Sequence, residues 1–496
     1  MTRMKTALCV SLGAFLCLGG CSLAPKYTRP EAPVPATWPG GPAYDNAQVS
    51  PGAPVSAELK WREFFTDERL RKVIETALKN NRDLRTAALN VERARAVYGI
   101  ARADLLPAVE ATGRGRKERV PSSSFGSDGG SAIIERYDVN LGVSSWEIDF
   151  FGRIASLSQA ALAQYLATEE GRKAAQISLV ASVANGWLNL VADEELLALT
   201  RQTLATREES MRLTRLRFDN GVSSELDFQQ ARSLAEAARV ALAQQQRQRA
   251  LDLNTLGLLL GEPAAPDIGG NTAMASLALP DLPAGLPSQV LVERPDVRQA
   301  EQQLVAANAN IGAARAAFFP RITLTAGIGT ASSELSGLFR GGSWGLTAAP
   351  QLLLPIFDAG RNQAGLRAAG VSREIAVAQY ERAIQSAFRE VSDALAGRAT
   401  LADQLRAQNN VADAEAVRLR LSTLRYDNGV ASYLELLDAQ RSLFAARQAA
   451  IQTRLQLLQN QVLLYRALGG GWSDGAPSAA TGAIEMRPVT GTGSGR

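Results

Sequence analysis

The sequence predicts a mainly α-helical, internally duplicated chain that also supplies four strands to a transmembrane β-barrel. Three observations predict this fold: a long internal repeat, two proline-free stretches of helical periodicity, and four short segments of alternating polarity. The 496 residues are 46% hydrophobic and 21% charged, which is the composition of a folded protein. The lack of histidine excludes a Ser-His-Asp triad, a Cys-His pair and any histidine-containing metal site. The 53 basic and 49 acidic residues nearly balance, without a dense basic run, so nucleic acid is not an expected partner.

Residues 1–20 have the features of a lipoprotein signal peptide. Arg3 and Lys5 precede an apolar run of about a dozen residues, which is too short to span a bilayer, where about 20 are needed. The run ends in Leu18-Gly19-Gly20-Cys21, which resembles a lipobox and predicts a lipid on Cys21. The alternative is an ordinary signal peptide with an incidental cysteine. The residue after the cysteine is Ser22. An aspartate at this position would be the usual signal for retention at the inner membrane, so Ser22 implies sorting to the outer membrane.

The mature chain contains one unit twice. Arg-Phe-Asp-Asn-Gly-Val at 217–222 recurs as Arg-Tyr-Asp-Asn-Gly-Val at 425–430, an offset of 208, and Gly152-Arg153 recur as Gly360-Arg361. Upstream, the offset is 213: Gly99, Arg102 and Pro107 match Gly312, Arg315 and Pro320. The predicted segments are an extended strap at 21–65, repeat one at 66–262, a connector at 263–286, repeat two at 287–469 and a disordered tail at 473–496.

Each repeat opens with a predicted helix, at 67–104 and at 294–317. A longer helical stretch follows the alternating segments, at 152–218 and 360–426, and neither stretch contains proline. At about 1.5 Å per residue, each stretch is about 100 Å long, which is too long for a compact globule. The Asp-Asn-Gly turns allow reversal of the chain, so we expect helical hairpins at about 152–260 and 360–468, with tips at 219–222 and 427–430.

The alternating segments lie at about 108–150 and 321–355. Apolar residues fall on odd positions in 137–144, and on even positions in 322–329 and 344–348. Each segment has the length of a tilted transmembrane strand, although a soluble sheet with one buried face is the alternative. Four strands do not close a barrel, and open edges in lipid are costly, so the chain must oligomerise. Two chains would give eight strands and three chains twelve.

The mature chain resembles the TolC-like outer membrane factors, and within them the lipoprotein branch of OprM/NodT-like proteins. The residues that carry the resemblance are 21–25, Trp61 with Phe64, 293–297, 318–320, 433–443 and 467–472. The resemblance implies a homotrimer with a twelve-stranded β-barrel and a periplasmic α-barrel. It also implies lipid on Cys21 as the only attached group, an inner-membrane RND-type pump, and a periplasmic adaptor that docks on the tips. The tip residues are Asn220, Gly221, Val222, Asn428, Gly429 and Val430.

A duct would need a gate at its periplasmic end, just beyond the second tip. Threefold symmetry makes each inward-facing acid a ring of three, which favours cations and ionic latches. The resemblance places an apolar ring and constriction acids at Leu434, Glu435 and Asp438, near Arg441, and a latch acid, Asp227, near Tyr426. Ala431 stands where some relatives have a latch arginine. The alternative is that these charges are solvated residues of an exposed helix face.

The predicted function is passive conduction from the pump and adaptor to the exterior. No phosphate-binding loop is present, so energy must come from a partner, and no catalytic cluster of acids is found, so the chain is not expected to be an enzyme. The rival interpretation is a coiled-coil structural or adhesive lipoprotein without a lumen.

Overall fold

The computed structural model describes residues 22–44, 59–121, 131–270, 272–282 and 291–471. The signal peptide, Cys21 and the tail at 473–496 lie outside the described residues, as does part of the connector. The described elements, in chain order, are α1 Trp61–Phe64, α2 Glu68–Asn80, α3 Arg82–Ala103, β1 Val109–Pro121, β2 Ser131–Glu147, α4 Arg153–Asp219, α5 Glu225–Leu260, α6 Pro295–Ala316, β3 Arg321–Ser332, β4 Trp344–Leu353, α7 Arg361–Asp427 and α8 Tyr433–Ala467.

Contacts divide the chain into two compact units. Of the described residues, the first unit comprises those within 22–36, 82–175 and 291–389, and the second comprises those within 37–81, 176–282 and 390–471. The long helices α4 and α7 have 67 residues each and contribute to both units. Helix α4 has an 18-residue stretch of mean hydropathy 1.2, and 61% of that stretch is buried within the protein, as in a core helix.

The first unit contains an antiparallel sheet in the order β1-β2-β3-β4. The register aligns Leu141 of β2 with Ile328 of β3, and Ile328 with Leu346 of β4. The apolar positions of the three segments therefore share one face, although they are odd in β2 and even in β3 and β4. The other face carries Asn140 beside Gly329. This register explains the alternation in the sequence and gives the sheet one apolar and one polar face.

The base of the sheet is fixed by a buried carboxylate. Glu147, at the end of β2, accepts hydrogen bonds from Arg153 at 2.7 and 2.8 Å and forms an ion pair with Arg321 at 2.6 Å. These three residues join the end of β2 to the first residues of α4 and β3. Phe151 stacks on Phe319 beside them, with ring centroids 4.8 Å apart. The transition from strand to long helix is therefore rigidly held in repeat one.

The strap is held on α6 by specific contacts. The Leu23 carbonyl accepts a hydrogen bond from Arg315 at 3.1 Å, and the Pro25 carbonyl accepts one from Asn308 at 2.7 Å. Arg29 pairs with Glu301 at 2.7 Å. A Cβ on Gly312 would lie 2.9 Å from the Ala24 backbone, so glycine allows this close approach. The strap is thus bound along α6 from Leu23, two residues after Cys21, to Arg29.

The second unit has an aromatic centre. Phe64 of α1 stacks on Tyr465 of α8, with centroids 4.1 Å apart, and Phe65 meets the same ring edge-on. The Tyr465 hydroxyl donates to the Leu59 carbonyl at 2.7 Å. This centre holds the chain before α2 against α8.

The helix predicted at 67–104 is instead two helices, α2 and α3, separated at Asn81. Asn81 leaves the helical conformation, with ψ 130°, and its amide donates to the Leu259 carbonyl at 2.9 Å. A buried asparagine that bonds a neighbouring backbone competes with helical hydrogen bonding, which explains the break.

Candidate functional site

The predicted gate residues lie in the second unit, at the start of α8. Ser432 caps this helix by accepting a hydrogen bond from the Glu435 amide. Helical periodicity then buries Tyr433, Leu436 and Leu437 and leaves a different stripe outside. That stripe, named here the tip stripe, consists of Leu434, Glu435, Asp438 and Arg441. Leu434 exposes 58% of its surface.

Both acids of the tip stripe form ion pairs with α7. Asp438 pairs with Arg418, and Glu435 pairs with Arg425 at 3.2 Å. Arg418 also contacts Glu415 and the Ser442 hydroxyl. The two pairs therefore connect the outgoing and returning helices of the second hairpin.

Arg418 and Arg425 were not among the predicted site residues, although the sequence contains a signal for them. In an antiparallel hairpin that turns near residues 428–430, a residue of α7 faces a residue of α8 that lies about equally far from the turn. Arg418 and Asp438 fit this alignment, and so do Arg425 and Glu435. This alignment is the signal in the sequence by which the basic partners of the acids on α7 can be found.

The structure does not join Asp227 to Tyr426 within the described chain. Asp227 completes a capping box with Ser224 at the start of α5. The Tyr426 hydroxyl instead accepts a hydrogen bond from Arg217 at 2.9 Å, and the Arg217 guanidinium lies 5.4 Å from the ring centroid. A second link joins the Ser210 and Tyr433 hydroxyls at 3.0 Å. These two contacts connect the first hairpin to the second.

A hydrophobic cluster lies beneath the tip stripe and includes all four helices of the two hairpins. Ala231 and Leu234 of α5 pack with Tyr433, Leu436 and Leu437 of α8. Met211 of α4, with Leu419 and Tyr426 of α7, packs against the cluster. The tip stripe is thus supported by a core, whereas its own side chains remain solvent-accessible.

The two hairpin tips have the same local structure. The amides of Val222 and Val430 bond the carbonyls of Arg217 and Arg425, at 2.8 and 2.9 Å. Gly221 and Gly429 have φ of 72° and 74°, a conformation that favours glycine. The valines that follow are 75% and 68% exposed. Each tip therefore presents one apolar side chain on a tight turn.

Long helical hairpins, together with a sheet that has one apolar face, define a class of outer-membrane channel proteins. A family model described as "Outer membrane efflux protein" matches residues 73–262 and 286–470. The chain belongs to this family and to its TolC-like outer membrane channels.

Named relatives and solved structures agree with this assignment. The chain is 50% identical over 468 residues to the probable efflux pump outer membrane protein TtgC of Pseudomonas putida, covering 94% of this chain and 96% of the relative. It is 45% identical to the outer membrane protein OprJ of Pseudomonas aeruginosa, and the alignment covers 93% of this chain and 95% of OprJ. Among solved structures, the open MtrE outer membrane channel of Neisseria gonorrhoeae is 40% identical, with a TM-score of 0.82 and coverage of 91% and 99%. A membrane protein from Pseudomonas aeruginosa is 43% identical, with a TM-score of 0.85 and coverage of 93% and 100%.

Proposed function

We propose that this protein is the passive exit duct of a tripartite efflux system. Three copies would conduct small molecules from an inner-membrane RND-type pump and a periplasmic adaptor across the outer membrane. The observation that carries the proposal is the four-stranded sheet with one apolar face. The smallest single-chain bacterial barrels have eight strands, so four strands cannot close a barrel alone. Three copies of the chain supply twelve strands. The apolar faces would then meet lipid, and the polar faces would line a water-filled lumen.

The tip stripe is the proposed periplasmic gate. In a threefold assembly, Leu434 would form an apolar ring, and Glu435 and Asp438 would form rings of carboxylates. Opening requires the second hairpin to move against the first, so the Arg217–Tyr426 and Ser210–Tyr433 contacts would break. The ion pairs Arg418–Asp438 and Arg425–Glu435 would hold α7 and α8 together in the closed gate. The exposed tips carrying Val222 and Val430 would receive the adaptor.

The gate is tested by single-channel conductance in planar bilayers. We expect the double variant Glu435→Ala, Asp438→Ala to conduct more than the wild type, because both ion pairs and both carboxylate rings are removed. Glu209→Ala is the matched control, since its acid is an exposed helix residue paired with Arg212 in the first hairpin. Unchanged conductance in the double variant would reject the gate. A wild-type protein that neither conducts nor permits liposome swelling would instead favour the structural lipoprotein without a lumen.

We also infer that the mature chain begins at a lipid-modified Cys21. The support is the lipobox-like sequence together with the strap, which is bound to α6 from Leu23 onward. Labelled palmitate should be incorporated into the wild type and not into Cys21→Ser. Equal incorporation by the two proteins would place the lipid elsewhere.

A further inference from the structure

A cavity of about 520 Å³ lies in the second unit, between α4, α7 and α8. Its volume is in the range of small-molecule sites, roughly 300–1,000 Å³. One part of its wall is apolar and includes Leu199, Leu419, Leu443 and Phe444. The remaining wall is polar and positively charged, since it includes Arg207, Arg420 and Arg447 and no acidic residue. The cavity thus combines an apolar surface with uncompensated positive charge.

Arg207 is the buried charge of this cavity. The residue exposes only 6% of its surface, and its Nε has no hydrogen-bond partner among the described residues. Its Nη1 reaches the Leu234 carbonyl only at 3.4 Å, and its guanidinium lies 5.1 Å from the Phe444 ring centroid. Burial, and next the charge of Arg441, lower the pKa of Arg207. An arginine nevertheless remains charged in proteins, and a buried charge without a counterion is strongly unfavourable.

A second unsatisfied group lines the same cavity. The Gln440 Oε1 is buried and has no hydrogen-bond partner among the described residues. Buried polar groups in proteins are nearly always paired, so two unpaired groups on one cavity point to a missing polar ligand. Rotation of the Gln440 carboxamide would present either its oxygen or its NH2 group to that ligand.

We propose that this cavity binds an amphipathic organic anion. The Arg207 guanidinium turns toward the cavity and donates to the carboxylate or sulfonate of the ligand, and the rotated Gln440 carboxamide donates to it through its NH2 group. The apolar tail of the ligand packs on Leu419, Leu443 and Phe444. The anion provides the counterion that Arg207 lacks and reduces its repulsion by Arg441, which belongs to the tip stripe.

The test is calorimetric titration of the full-length assembled protein, reconstituted in lipid nanodiscs, with sodium decanoate below its micellar concentration. We expect saturable binding of one decanoate per chain, and binding of uncharged decanol at least tenfold weaker. Arg207→Met should weaken decanoate binding at least tenfold. Arg406→Met is the control and should bind like the wild type, because Arg406 is an exposed residue of α7 paired with Asp403.

A cavity-filling variant keeps the test informative if Arg207→Met does not fold. Ala416 also lines the cavity, and Ala416→Trp should abolish binding while Arg207 is retained. Absence of saturable binding, or equal affinity for decanol, would overturn the proposal. If Arg207→Met or Ala416→Trp folds and binds decanoate with the affinity of the wild type, the proposal is overturned as well.

Discussion

The ion pairs of the tip stripe and the ion pairs at the base of the sheet have similar chemistry but different environments. In the Arg418–Asp438 pair the side chains are 42% and 59% exposed, and pairs of this kind contribute only about 0–1 kcal/mol each. The Glu147 side chain is 10% exposed and has two arginine partners, so loss of one partner leaves a largely buried charge. The tip pairs are therefore weak links between α7 and α8, whereas the Glu147 cluster suits a permanent joint.

Asp193 is a buried acid of α4 that faces a second acid. Gln245 of α5 donates to its carboxylate at 2.8 Å, and Asp252 of α5 lies next to it, with Arg249 nearby. Burial, then a hydrogen bond with the Asp252 carboxyl group and the charge of that group, raise the pKa of Asp193 to about 7. A proton on Asp193 is therefore retained in the folded protein at a pH where the unfolded chain has lost it.

This retained proton predicts a pH-dependent effect of Asp193→Asn. Between about pH 4 and pH 7 the folded protein binds more protons than the unfolded chain, so the wild-type stability falls as the pH rises. Asparagine does not titrate, so the melting temperature of Asp193→Asn minus that of the wild type should grow from pH 4 to pH 7 and then level off. Circular dichroism at 222 nm measures both transitions.

The control for this prediction is Asp413→Asn, which changes an exposed carboxylate of α7. Its difference in melting temperature from the wild type should stay nearly constant over the same pH range. A constant difference for Asp193→Asn as well would contradict a raised pKa.

At the scale of elements, the sequence predicts features that follow from periodicity, such as the faces of strands. It does not predict features that depend on a tertiary contact, such as the break between α2 and α3. The alternation in 137–144 and 322–329 predicts the faces of β2 and β3, because side-chain direction follows from position along a strand. The Asn81 break is different, since it depends on the Leu259 carbonyl, which is far away in the sequence. The resemblance indicates Glu435 and Asp438 as the proposed gate acids, whereas the arginines that pair with them follow from aligning the two helices of the predicted hairpin.

Two glycines with nearly equal φ allow backbone strain to be separated from steric contact. Gly261 ends α5 with φ 72°, and a Cβ there would lie 2.5 Å from the Asn80 carbonyl oxygen. Gly429, at the second tip, has φ 74° and nothing within 4 Å of such a Cβ. We expect Gly429→Ala to lower the free energy of unfolding by about 1 kcal/mol, from strain alone. Gly261→Ala should lower it further, and equal losses in chemical denaturation would contradict the close approach to Asn80.

At the scale of the whole molecule, the two hairpins of the duplicated unit form different polar contacts. At the offset of 208, Arg217 corresponds to Arg425, yet Arg217 bonds Tyr426 whereas Arg425 pairs with Glu435. The positions that match Arg418 and Asp438 are Ser210 and Gln230, which cannot form an ion pair. The positions that match Arg425 and Glu435 are Arg217 and Asp227, but Asp227 caps α5 and Arg217 bonds Tyr426, so among the described residues both ion pairs occur in the second hairpin only. This difference supports the proposed movement of the second hairpin.

The proposed barrel predicts opposite outcomes for substitutions at two neighbouring residues of β2. Leu141 lies on the apolar face beside Ile328, and Asn140 lies on the polar face beside Gly329. An arginine that faces lipid costs roughly 2–4 kcal/mol near the bilayer midplane, and three copies multiply this cost. Leu141→Arg should therefore reduce the amount of assembled protein in the outer membrane, measured by membrane fractionation and non-denaturing electrophoresis. Asn140→Arg should assemble normally and shift the ion selectivity of the channel toward anions, because its charge would line the lumen. Normal assembly of Leu141→Arg would show that the apolar face does not meet lipid, and failure of Asn140→Arg to assemble would show that the polar face does not line a water-filled lumen.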